Sequence, residues 1–204
     1  MFNEREQSVK HLASLYTVVI GVALSSSIYH LIDPDKGIAS ISKPSLILFI
    51  AFIFLIFPFY HGAMRHLDST YLTSDSKDVR DYALLVDILL LFTHGVFFVV
   101  ISMLLKQPDE FLLFIMIILA IDVVWGFMAH LAFSPDKDHK AETSWAKINL
   151  AALIFMFIFS LVEENTLNWL SNKPINYCSI ILVIVFVRTL ADYGMNWKFY
   201  FPKK

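Results

Sequence analysis

Apolar and polar residues are laid out along this chain in long blocks. Six blocks are almost wholly apolar, at residues 12–32, 45–64, 82–105, 111–133, 148–170 and 175–193. A bilayer core of about 30 Å takes roughly 20 apolar residues in a helix. Backbone groups in lipid have no water to bond, so blocks of this length predict spanning helices, whose hydrogen bonds close within the segment. A membrane barrel would show alternating segments of about ten residues, and these runs are continuous. The pattern predicts an all-α, polytopic integral membrane protein with six transmembrane helices in a single domain over residues 1–204.

The polar punctuation is short. Asp33-Pro34-Asp35-Lys36-Gly37 ends the first block, and Lys43-Pro44 opens the second. Gln107-Pro108-Asp109-Glu110 is a tight turn that sets acids at the start of the fourth helix, where the helix dipole favours them. Ser134 to Lys140 is a polar loop, and Asn172-Lys173-Pro174 parts the last two blocks. Six spans put Arg5, Lys10, Arg65, Lys77, Arg80, Lys137, Lys140, Lys147, Lys198, Lys203 and Lys204 on one side. Only Lys36, Lys43, Lys106 and Lys173 fall on the other. The positive-inside rule then places both termini in the cytoplasm, with the protein in the plasma membrane. Tyr82, Trp145 and Trp197 are expected at the inner interface, and Tyr29, Trp169 and Tyr177 at the outer one.

Composition agrees: 57% of residues are hydrophobic, 17% are charged, and the mean hydropathy is +0.64. A net charge of −2 gives no reason to expect a nucleic-acid partner. The single cysteine, Cys178, makes no intrachain disulfide and no cysteine metal cage. The polar start of the chain is not followed by a small-residue cleavage site, so the first helix is expected to be retained. No Gly-rich phosphate loop or His-Glu-x-x-His helix is present. Ser144-Trp145-Ala146-Lys147 matches Ser-x-x-Lys without the companion motifs of acyl-transfer enzymes. No catalytic residue, metal site or cofactor follows, and the expectation is a non-enzymatic protein.

Ionisable residues inside spans are costly, and each is a candidate for function or for helix-to-helix contact. His61, Arg65 and Asp68 share one face of the second helix, just past Pro58. Asp87 and His94 share a face of the third and lie about 10 Å apart along it. Asp122 sits in the middle of the fourth, with Gly126 and His130 on its face and Trp125 close by. Arg188 and Asp192 are four apart on the sixth. Asp122 is expected to pair with Arg188, with Asp87 as the alternative partner. These groups lie at mid-depth or in the predicted cytoplasmic half. They define either a wet vestibule or a network that holds the bundle together. In the first helix Gly21 and Ser25, like Ala23 and Ser27, have the small-residue spacing of a packing face, within a protomer or between protomers.

The leading expectation is a homo-oligomeric channel- or transporter-like protein with a cytoplasm-facing polar pathway. A second reading is a sensor, anchor or effector subunit of a larger stress or phage-defence system. Its segments Asp68 to Arg80 and Ser134 to Lys147 would then dock a cytoplasmic protein. A third is a haem or quinone redox protein, with His61 and His130 at matched depth as axial ligands and His94 as a further candidate. In layout alone, the chain resembles the small prokaryotic relatives of lysosomal potassium channels. Their Phe-Ser-Asp signature early in the first helix is replaced here by Ala13-Ser14-Leu15-Tyr16-Thr17, so the chain is not assigned to that family.

Overall fold

The computed structural model describes residues 2–32, 35, 37–72, 81–132, 140–166 and 174–202. Six long helices make the bundle: α1 (Phe2–Leu31), α2 (Lys43–Leu67), α3 (Asp81–Met103), α4 (Pro108–Ala132), α5 (Lys140–Thr166) and α6 (Pro174–Met195). A single turn, α7 (Trp197–Tyr200), folds back under the end of α6. Each of the six is long and apolar enough to cross a membrane.

The surface supports a membrane environment. Phe92 is 61% and Phe155 66% exposed, and both lie amid other exposed large apolar side chains. Lipid solvates such a surface, whereas water leaves it as a patch that seeks a partner. The start of α1 and the end of α6 lie at one end of the bundle, where the last turn of α2 meets α7 through Arg65 Nε and the Phe199 carbonyl, 3.1 Å apart. We call this the terminal face.

Local chemistry sets the helix ends. Ser42 caps α2 by accepting the Ser45 amide at 3.2 Å, and Pro44 occupies the first turn, where its missing N–H costs nothing. Pro58 cannot donate to the carbonyl of Phe54. That carbonyl instead accepts the Thr189 hydroxyl of α6 at 2.8 Å. The defect in α2 thereby becomes a joint between two helices. Past Leu67 the chain widens into a π turn, Asp68–Leu72, which buries Thr70 and Tyr71.

α4 packs most heavily on α5, α2 on α6 and α1 on α3. Two glycines permit close approach. A Cβ on Gly126 would stand 2.9 Å from both the Glu142 carbonyl and the Ala146 Cβ. A Cβ on Gly95 would stand 2.6 Å from Val19 Cγ1.

Several expectations need correction. Within the protomer the packing face of α1 is Ala23 and Ser27, both buried, whereas Gly21 and Ser25 are exposed and Gly21 has open space before it. α5 begins at Lys140, so the second half of the expected loop from Ser134 to Lys147 is helix. Trp145 then lies inside the bundle, stacked 6.2 Å from Trp125, and is no interfacial anchor. Tyr177 is likewise buried, 5.1 Å from Phe159. Tyr29, Tyr82 and Trp197 are exposed, as belt residues would be. Trp169, and residues 73–80 and 134–139 of the two expected docking segments, lie outside the described residues.

Candidate functional site: a buried polar core at the terminal face

The last turn of α2, the start of α3 and the start of α5 converge on His66. Its Nε2 is 3.0 Å from Asp87 Oδ2, and its Nδ1 is 3.0 Å from Glu142 Oε1. All three side chains are buried. Asp87 also accepts the Tyr71 hydroxyl at 2.7 Å and the Trp125 indole N–H at 3.1 Å. The π turn brings Tyr71 to this position, and α4 supplies Trp125. Thr70 Oγ1 stands 3.4 Å from His66 Nδ1. With both carboxylates ionised, each ring nitrogen donates and the ring is an imidazolium. With one carboxylate protonated, the ring is neutral. Glu142, His66 and Asp87 are therefore three groups in line that can hand on a proton.

A second cluster lies deeper. Asn149 of α5 donates its amide to Asp122 Oδ2 and accepts Arg188 Nε at 2.8 Å. Asp122 and Arg188 thus do not pair directly, as the sequence suggested, and Asn149 stands between them. The asparagine has both a donor and an acceptor, so it satisfies both ions at once. The guanidinium also lies 4.7 Å from the centre of the Phe59 ring, and its Nη2 is 3.9 Å from Asp192 Oδ2. Asp192 accepts the Asn196 amide at 2.9 Å and the Tyr200 hydroxyl at 3.0 Å. Burial, with the nearby Asp192 carboxylate, raises the Tyr200 phenol above its ordinary pKa and keeps it a donor. α7 exists to deliver this group, and it also covers Gly62, where a Cβ would meet Tyr200 Oη at 3.3 Å.

The two clusters share a cavity of about 40 Å³, lined by His66, Asp87, His94, Asp122, Arg188, Asp192 and Tyr200 together with the rings of Phe59, Trp125 and Trp145. One water takes roughly 10–15 Å³ on this measure, so about three fit. Three buried nitrogens of residues lining this space, His94 Nε2, Trp145 Nε1 and Arg188 Nη1, have no hydrogen-bond partner in the protein. His94 Nε2 is 3.9 Å from Asp122 Oδ1, too far for a direct hydrogen bond.

Of the residues expected from the sequence, Asp87, His94, Asp122, Arg188 and Asp192 meet here. His61 is half-buried to one side, its ring 4.8 Å from Tyr200 and its Nδ1 3.4 Å from the Tyr193 hydroxyl. Arg65 and Asp68 form a 3.9 Å contact at the rim. The side chain of His130 lies outside the described residues. Sequence reasoning missed His66, Glu142, Asn149, Asn196 and Tyr200. Among the described residues, no group of three or more His, Cys, Asp or Glu side chains is arranged to hold a metal ion. No protein-family model, no curated protein and no solved structure matches the chain.

Proposed function

We propose that this chain is a plasma-membrane protein of channel or transporter type, with both termini cytoplasmic, whose polar pathway is entered from the terminal face and carries protons or is driven by them. One observation carries the reading. Among the described residues the buried core holds four carboxylates, Asp87, Asp122, Glu142 and Asp192, with Arg188 and two imidazoles, His66 and His94. So many ionisable groups in a low-dielectric bundle favour shared protons over full ionisation, which supports a core that takes up and gives back a proton. The cavity supplies the water through which a proton exchanges. The excess of Lys and Arg at this end supports the cytoplasmic orientation. A homo-oligomer remains part of this reading, with Gly21 and Ser25 as the open face for a second copy.

Beyond the cavity the bundle is packed with apolar side chains, so the pathway is closed in this conformation. That closure also favours the second reading, a sensor or effector subunit that takes up protons without passing them on. Liposomes with a trapped pH-sensitive dye separate the two. Proton entry under an imposed potential, faster than in protein-free vesicles, is the expected result. Absence of flux, together with a cytoplasmic protein that co-purifies, would favour the subunit.

A further inference from the structure

Outside the bundle, small side chains open a furrow between α5 and α6. Ala151 and Ala152 on α5 face Ala191 on α6, and the space between the helices widens into a groove of about 490 Å³. Phe155, Val183, Val187 and Met195 form its apolar walls. From Val183 to Met195 the helix rises about 18 Å, close to half of a hydrocarbon core of about 30 Å. The groove is as long as one leaflet is deep.

Its charge is one-sided. Lys147 lies at the end nearer the terminal face, exposed, and Arg188 lies in the floor, only 6% exposed. No acidic side chain lines the groove among the described residues. An apolar slot one leaflet long, bearing only cations, is complementary to an amphiphile with an anionic head. A second copy packed by a two-fold axis would set these cations against their own counterparts. We propose that the groove binds one acyl chain of an anionic membrane phospholipid, with the phosphate at Lys147 and the chain over Arg188. Arg188 lines both this groove and the internal cavity, so the lipid forms an outer wall of the polar core. The inference stands independently of proton transport.

The test is native mass spectrometry of the full-length protein, released from detergent in the presence of phosphatidylglycerol or of phosphatidylcholine with identical chains. The wild type is expected to retain phosphatidylglycerol at least fivefold better, and Lys147→Glu to lose that preference. Ala151→Phe and Ala191→Phe fill the groove from lipid-facing positions and are expected to lower retention of both lipids. Equal retention of the two lipids by the wild type would overturn the proposal, as would an undiminished preference in Lys147→Glu. If Ala151→Phe dissociates a dimer while lipid retention is unchanged, the groove belongs to a second copy and the proposal fails.

Discussion

One face of α3 reads Asp87, His94, Phe98, Ile101 at helical spacing, and all four side chains are buried. The first two belong to the half of the bundle at the terminal face, and the last two to the opposite half. The same change of character occurs along α4, from Trp125 and Asp122 to Ile118, Ile115 and Phe111, and along α6, from Asp192 and Arg188 to Val185, Ile181 and Cys178. The two halves are held together by different forces. In the apolar half, association rests on shape, because lipid is as good a solvent for Phe or Ile as the core is. Two of its buried hydroxyls are satisfied within their own helices: Ser27 donates to the Leu24 carbonyl and Ser102 to that of Val99, each at 2.6 Å. In the polar half the contacts run between helices and each group depends on another. Shape packing seals. A hydrogen-bonded ionic core with several carboxylates and room for water is, on the proposed function, the part that holds and exchanges a proton.

The comparison breaks most severely at Asp87. It accepts from His66, Tyr71 and Trp125, so Asp87→Ala orphans three buried donors at about 1–3 kcal/mol each. Little monodisperse protein is expected on size exclusion. Asp87→Asn keeps an acceptor and is expected to be recovered in better yield. Arg188→Met comes next. It leaves Asp192 without its cation, at about 3–5 kcal/mol where a pair is buried. Adding Asp192→Asn is expected to restore part of the thermal stability, and simple additivity of the two losses would show that they act separately.

Phe98→Ala tests the other half. In an aqueous core Phe→Ala costs about 3–5 kcal/mol. Here the transfer part of that cost is small, because lipid already solvates the ring, and a smaller loss of melting temperature is expected. The informative readout is permeability: removing Phe98 from the seal is expected to raise proton leak, and an unchanged leak would place the barrier elsewhere. The mildest change is Gly21→Leu. With open space before Gly21, the protomer is expected to keep its stability, whereas Gly95→Leu must displace Val19. A smaller oligomer in Gly21→Leu, by light scattering in detergent, would mark that face as the contact between copies.

The six spans were legible because their cause is local. Twenty apolar residues in a row suffice, whatever they pack against. The polar core was legible where a charge interrupts such a run, as at Asp87, Asp122 and Arg188. It was hidden where polar residues sit at the ends of runs, as His66, Glu142 and Tyr200 do, because an end reads as a solvated loop. α5 begins eight residues before its apolar block, and that extension carries Glu142 and Trp145 inward. The signal was present in Gly62 and Gly126, at i−4 from His66 and i+4 from Asp122, small residues that let neighbouring side chains close over the site. Asn149 gave no such sign. An amide near a helix start suits a cap or a surface, and only its position between Asp122 and Arg188 shows its role.

The central claim is that the polar half holds a proton which exchanges with water while the apolar half stays dry. Infrared spectroscopy of the protein in lipid at neutral pH tests it most directly, through the carbonyl stretch of a protonated carboxylic acid. The account predicts such a band, shifted promptly on transfer to D₂O, and abolished by one of Asp87→Asn, Asp122→Asn, Glu142→Gln or Asp192→Asn while the protein remains folded. A spectrum without the band, or a band that survives all four substitutions, would contradict it.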